Sequence, residues 1–375
     1  MSKIKIAIVG SGPSAFFAAD MLLKKVENVE ISIFEKLSEP YGLVRFGVAP
    51  DHAKIRSVTK AFEKTLQKEN VTLFCNKEIG KDISLQELRD SFNAVILAYG
   101  AQTDRALNIP GEDLAGSYTA TAFVAWYNGH QEFTNYEFDL SGENAIIIGQ
   151  GNVAVDVVRI LAKDPEDLKT TDIAEYAVTA LKKSNVKNIY MIGRRGPVQA
   201  AFTDKELREL GELKNVNIKV NSKDLELNEA SKLELESNSR SKRNYEILKS
   251  FLEKDFNKNF KTIHLKFFLS PTELTGDNKV NNAKFIINKL EESITIPCEI
   301  FMRSIGYRGL KLENLPFNEK TGTFYQETGR INDENGVHIK GLYTTGWIKR
   351  GPSGVIGTNK ACSNETVRSL IEDLS

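Results

Sequence analysis

Ile4-Lys5-Ile6-Ala7-Ile8-Val9-Gly10-Ser11-Gly12-Pro13-Ser14-Ala15 is the stretch that decides the fold. Ile4 to Val9 is short, apolar and rich in β-branched residues, as a strand buried on both faces of a parallel sheet requires. The six residues from Gly10 to Ala15 fit G-x-G-x-x-G/A. Gly10 permits a tight turn, Gly12 lets a pyrophosphate approach the backbone, and the small Ala15 lets helix and strand pack closely. The helix expected from Ser11 to Leu23 would hold phosphates with its free N–H groups and the positive end of its dipole. Val29 to Phe34 then reads as the second strand of a β-α-β unit, and Glu35 at its end is placed to accept hydrogen bonds from ribose hydroxyls.

A second unit of the same kind starts at Ala145-Ile146-Ile147-Ile148, turns at Gly149-Gln150-Gly151-Asn152-Val153-Ala154 and enters a helix ending near Leu161. Its second strand, Val186 to Ile192, is delayed by a polar, helix-favouring insertion from Asp164 to Ser184. No acid stands at that strand's end; Gly193-Arg194-Arg195-Gly196 does. A carboxylate there would repel a 2′-phosphate, whereas two guanidiniums bind one through charge-assisted hydrogen bonds. An Arg-Arg pair is ordinarily a solvated surface feature, but its place after the strand favours NADP(H) over NAD(H). Two nucleotide folds, one ending in Glu and the other in Arg-Arg, point to two different dinucleotides. FAD in the first and NADP(H) in the second is the natural pairing.

Composition narrows the function classes. The chain has 375 residues, suggesting two domains, with 50 Lys plus Arg against 50 Asp plus Glu. A net charge of zero carries no footprint for bulk nucleic-acid or membrane binding. The three cysteines, Cys75, Cys298 and Cys362, form neither a disulfide framework nor a C-x-x-C pair, and with four scattered histidines they offer no metal-ligand spacing. No metal is expected. No apolar run approaches the ~18 residues of a membrane helix, and the first one closes at Gly10, so a soluble, cytoplasmic protein is expected.

Tyr41-Gly42-Leu43-Val44-Arg45-Phe46-Gly47-Val48-Ala49-Pro50-Asp51-His52, the 149–154 turn and Gly193-Arg194-Arg195-Gly196-Pro197 together resemble the adrenodoxin reductase family, the FAD-containing ferredoxin–NADP+ reductases of mitochondria and bacteria. Gly346-Trp347-Ile348-Lys349-Arg350-Gly351-Pro352-Ser353-Gly354-Val355-Ile356-Gly357-Thr358-Asn359-Lys360 is similar to that family's flavin-contact signature. The resemblance runs from residue 4 into the last helix and is weakest across 215–290. It implies an α/β fold of two Rossmann-like dinucleotide-binding domains, glutathione-reductase-like, with the NADP domain (105–324) inserted in a discontinuous FAD domain (1–104 and 325–375).

For FAD the resemblance implies Ser14, Ala15, Glu35, Leu43, Ile79, Trp347 and the Gly354-Val355-Ile356 segment, whose backbone N–H groups would face the flavin's pyrimidine end. For NADP it implies Arg105, Gln150, Gly151, Asn152, Val153, Arg194, Arg195, Glu206 and Gly354. His52 and Glu209 match an active-site His–carboxylate pair. A lone tryptophan is more often a core aromatic, but Trp347 stands between a strand end and a Gly/Pro loop, which favours flavin contact. The implied reaction is hydride transfer between NADPH and the flavin N5, followed by single-electron transfer to a ferredoxin. Ferredoxins are usually acidic, so basic docking residues are expected: Arg208, and the cluster Arg240, Lys242 and Arg243. Two rivals share the glycine turns. One is a flavoprotein reductase or diaphorase like the glutamate synthase small subunit, which carries cysteine clusters that are missing in this sequence. The other is a non-enzymatic NADPH-sensing module.

Overall fold

The computed structural model describes residues 3–374. They form two compact units. The first contains the chain up to Val48, His52–Arg105 and everything from Gly306; the second contains Ala49–Asp51 and Ala106–Ile305.

In the first unit β1 (Ile4–Val9) lies between β2 (Val29–Phe34) and β4 (Ala94–Leu97), and β3 (Val71–Phe74) pairs with β2; all these pairs are parallel. His338–Thr344 adds parallel to β4, and Arg330–Asn332 and Gln326–Glu327 extend the sheet antiparallel to seven strands. Ile6 and Ile8 point into one apolar cluster, Ala7 and Val9 into another on the opposite face. Burial on both faces is why β1 reads as an unbroken apolar run. The first face is covered by α1 (Pro13–Lys25) and by the last helix, Ile356–Leu374, through Ala15, Phe16, Ala19, Val367 and Leu370. Pro13 at the start of α1 has its ring angle preset for the helix, and Lys24 and Lys25 complement the dipole at its end.

The second unit is built on six strands, every neighbouring pair parallel, in the order Ser117–Thr119, Ile300–Arg303, Asn144–Ile148, Asn188–Ile192, Lys261–Lys266 and Val216–Val220. The helix Asn152–Ala162 is buried along nearly its whole length. A three-stranded antiparallel sheet, Leu269–Thr275, Asn282–Ile287 and Glu292–Pro297, packs Leu274, Phe285 and Ile296 into a cluster with Ile146, Ile148 and Phe301. The delayed-strand insertion holds the helices Pro165–Leu168 and Glu175–Lys182, and the polar stretch after residue 213 holds Glu229–Ser237 and Ser239–Ser250. Among the described residues no helix is long and apolar enough to cross a membrane.

The second unit ends at Ile305 rather than near residue 324. Tyr307–Arg308 pairs antiparallel with Thr103–Asp104, and Arg105 donates its N–H to the Gly306 carbonyl at 3.1 Å. Leu315, Phe317 and Phe324 bury themselves in the apolar cluster that holds Val95 and Leu97 of β4. The chain therefore returns to the first unit about twenty residues earlier than the resemblance implies.

The short piece Ala49–Asp51 is held in the second unit by ions. Arg159, 4% exposed, bonds Asp51 and, at 2.6 Å, Asp156, while Lys163 reaches Asp51 at 3.1 Å. Burial pushes the Asp51 carboxyl up, but Arg159 and Lys163 outweigh it and hold the group below the ordinary carboxylate range. Arg159→Ala leaves two buried carboxylates short of their counter-ion and should cost about 3–5 kcal/mol in urea unfolding at pH 7. Because the folded-state value is depressed, the Asp51 contribution is complete above the unfolded value of ~4 and lost as pH falls through the folded one. The gap between parent and variant should therefore narrow on acidification; a gap that is small at pH 7, or that widens in acid, contradicts this account.

Candidate functional site

The first glycine turn is set by steric necessity. Gly10 has φ +96°, and a Cβ there would lie 2.7 Å from the Tyr99 Cα and 2.9 Å from the Ala98 carbonyl oxygen. Gly12, in extended conformation at the helix cap, faces open space: a Cβ there would meet nothing within 4 Å. The second glycine thus leaves an open cradle at the positive end of α1, which an anion can fill. Glu35, 7% exposed, accepts at Oε2 from the Ser11 N–H (3.0 Å) and hydroxyl (2.6 Å), and at Oε1 from the Leu37 N–H (3.0 Å). These bonds fix the carboxylate at the mouth of the turn, with lone pairs left for ribose hydroxyls.

The motif beginning at Tyr41 folds over the same turn. Tyr41 donates its N–H to the Ser11 carbonyl at 3.0 Å, a Cβ on Gly42 would come within 3.1 Å of the Gly12 Cα, and Leu43 stays exposed. Ala15 is fully buried against the strand, as the fingerprint demands. Ser14 does something the sequence did not suggest. Its hydroxyl lies 3.0 Å from Asn359 Oδ1 and its carbonyl accepts from Ser363, so it ties α1 to the last helix. Ile79 is buried in the apolar cluster with Val9 and Phe34.

The C-terminal signature forms a clamp on the last helix. Trp347 lies 5.3 Å from the Tyr307 ring and donates Nε1–H to the Ser353 carbonyl at 3.1 Å. Arg350 donates to the same carbonyl and to Asn359 Oδ1, each at 3.0 Å. Gly354 has φ +81°, and the Val355 N–H donates to Thr358 Oγ1 at 3.1 Å. That N–H, expected to face a ligand, is engaged within the loop. Arg350, Thr358 and Asn359 lie inside the quoted signature, but the sequence alone assigns none of these contacts to them. Asn359 and Ser14 are 345 residues apart, and no local pattern connects them.

In the second unit Gly149 has φ +132°, and a Cβ there would collide with the Ser304 carbonyl, while Gly151 faces open space. The geometry repeats; the charge does not. Arg194 and Arg195 are both exposed at the end of Asn188–Ile192, with no ion-pair partner among the described residues. Gln150 is 9% exposed and turns inward, donating Nε2–H to the Lys266 carbonyl at 3.0 Å beneath Gly193. Asn152 accepts from the Thr203 N–H at 2.8 Å, linking its helix to the cap of Asp204–Gly211, and the next residue, Val153, packs against the core. Glu206 is buried on that second helix.

Glu209, on the same helix, lies 3.8 Å from both Arg159 and Lys205. His52 belongs to the first unit, where its carbonyl caps Ala53–Arg56 by accepting from the Ile55 and Arg56 N–H groups. Arg105 is exposed at the last position of the first unit's second segment. Arg208 and the cluster Arg240, Lys242 and Arg243 occupy two helices, Asp204–Gly211 and Ser239–Ser250. Arg243 bonds Asp204 across them at 3.1 Å. All four are exposed, and Arg208 and Lys242 have no ion-pair partner among the described residues.

The pyridine nucleotide-disulphide oxidoreductase family matches residues 4–353. NADPH-ferredoxin reductase FprA of Mycobacterium leprae is 42% identical over 388 residues, covering 99% of this chain and 84% of that one. The chain belongs to this family, in its adrenodoxin reductase branch. A mitochondrial NADPH:adrenodoxin oxidoreductase of Arabidopsis thaliana is 40% identical over 397 residues, covering 99% and 82%. The structure of Mycobacterium tuberculosis FprA in complex with NADPH superposes with a TM-score of 0.93 at 41% identity, over 100% of this chain and 85% of that one. Lactococcus lactis thioredoxin reductase, with a TM-score of 0.53 at 14% identity, shares the fold alone. The chain is an oxidoreductase of the branch that its motifs resemble, and a purely non-enzymatic role is set aside.

The two turns separate fold from ligand experimentally. Gly12→Ala puts a methyl into the open cradle without backbone strain. It should leave the melting temperature of the flavin-free protein unchanged and weaken FAD binding at least about tenfold. Gly10→Ala instead needs a left-handed turn and a backbone clash, and should destabilise the fold by at least ~1–2 kcal/mol. Unaltered FAD affinity in Gly12→Ala would show that the cradle is not where the pyrophosphate lies.

Proposed function

We propose that this protein is an FAD-dependent ferredoxin–NADP+ oxidoreductase. Each NADPH supplies two electrons, and two ferredoxins take one electron each, leaving NADP+ and a proton. The flavin's contribution is a two-electron store that can be emptied one electron at a time. Carrying this reading is the opposed charge at two turns of like geometry, a buried Glu35 at one and an exposed Arg194–Arg195 pair at the other.

The roles of the chain's own residues derive from where they stand. Gly10 and Gly12 open the first cradle, and Glu35, oriented by Ser11 and Leu37, accepts from the adenosine ribose of FAD. Trp347, braced by Tyr307 and by the Ser353 carbonyl, presents an aromatic wall for the flavin. Gly149 and Gly151 open the second cradle for the NADP pyrophosphate, and Arg194 and Arg195 take its 2′-phosphate. For His52, Glu209, Arg105 and Glu206 the support is the family resemblance at those positions. Ferredoxin docks on the basic face made by Arg208 and Ser239–Ser250, where opposite charge raises the encounter rate.

NADPH should drive reduction of ferricyanide by the protein alone, and of cytochrome c only when ferredoxin is added. Arg208→Glu with Lys242→Glu should slow the second reaction several-fold at low salt and leave the first unchanged. Ferricyanide reduction with no coupling to any ferredoxin would mean a different acceptor. Separately, Arg194→Ala with Arg195→Ala should raise the KM for NADPH by the equivalent of about 2–4 kcal/mol and that for NADH far less. Equal effects on the two coenzymes would show that these arginines do not read the 2′-phosphate.

A further inference from the structure

The hairpin joining Asn282–Ile287 to Glu292–Pro297 belongs to none of the sequence motifs, yet its tip lies against the Arg194–Arg195 turn. Asn288 donates from Nδ2 to the Arg194 carbonyl at 2.7 Å and from its N–H to the Phe268 carbonyl at 2.7 Å. Phe268 donates its own N–H to the Arg195 carbonyl at 3.1 Å. Its ring covers Gly196, where a Cβ would meet it at 2.6 Å. Over that ring sits the next residue of the hairpin: Lys289 Nζ is 3.8 Å from the centroid.

The ammonium is therefore anchored beside the glycine that comes after the arginine pair, on the turn that the hairpin itself braces. Lys289 is exposed and has no ion-pair partner among the described residues. One acid that feels its field is Asp224, half-buried. Burial raises that carboxyl, and Lys266, a bond from the Phe267 backbone and Lys289 pull it back. A phosphomonoester has three terminal oxygens, and two guanidiniums leave room for a third charge-assisted donor; a 2′-hydroxyl offers an ammonium no counter-charge.

We infer that Lys289, carried on the hairpin tip, is a third cation of the 2′-phosphate subsite, and that Asn288 positions Arg194 within it. The inference rests on the NADP(H) reading of the second turn. Steady-state ferricyanide reduction with NADPH and with NADH tests it in the intact protein, comparing Lys289→Ala, Lys289→Arg and the Arg194→Ala, Arg195→Ala pair. Lys289→Ala should raise the KM for NADPH about three- to fivefold and leave kcat and the KM for NADH unchanged. Lys289→Arg should restore most of the loss, and added salt should shrink it. An unchanged KM for NADPH, or equal shifts for both coenzymes, overturns the inference. If the arginine pair alters coenzyme choice while Lys289→Ala is silent, the hairpin role alone fails; if the arginine pair is silent as well, the reading beneath it fails too.

Discussion

A chain that passes from a central parallel strand into a helix across only three residues has no room for a side chain at the first of them. Gly10 and Gly149 both take positive φ, and both would drive a Cβ into the backbone of a neighbouring segment, Ala98–Tyr99 in one unit and Ser304 in the other. With the bend so tight, the first helical N–H groups stand at the carboxyl edge of the sheet, where a phosphate can reach them. The open space over Gly12 and Gly151 is the other half of the same constraint. Each unit of this chain is arranged around one such bend.

Identical backbones then need something else to tell two nucleotides apart, and charge supplies it. Glu35 is buried and held by three donors, so its carboxylate is fixed where ribose hydroxyls can donate to it and where a 2′-phosphate is repelled. At the equivalent strand end of the second unit two arginines stand exposed on a turn pinned from behind by Asn288 and Phe268. A hydrogen-bonded backbone beneath exposed guanidiniums presents both of them to a dianion.

Much of this was legible in the sequence because it is local. The turns, Glu35 and the arginine pair each come after a strand whose apolar run shows where it ends, so position along the chain fixed position in space. Ser14 shows where local reading stops: its fingerprint slot was recognised, but its bond to Asn359 depends on the last helix packing over α1. Asn288 was missed for the same reason, since its partner Arg194 comes from packing and carries no spacing signal. The return of the chain at Gly306 was misplaced because Leu315, Phe317 and Phe324 lie in a polar, turn-rich stretch whose burial becomes visible only once β4 is in place. Gln150 belongs to a recognised turn, yet its amide serves the strand end beneath it.

Competition by adenine fragments reads the central distinction most directly. Purified protein carrying FAD is titrated with NADP+ in the presence of 2′,5′-ADP or of 5′-AMP, while free flavin is followed by its fluorescence. The account predicts that 2′,5′-ADP competes with NADP+, that 5′-AMP competes far more weakly, and that neither releases flavin. Release of flavin by 2′,5′-ADP, or equal competition by the two fragments, would contradict the assignment of an acidic slot to one nucleotide and a cationic slot to the other.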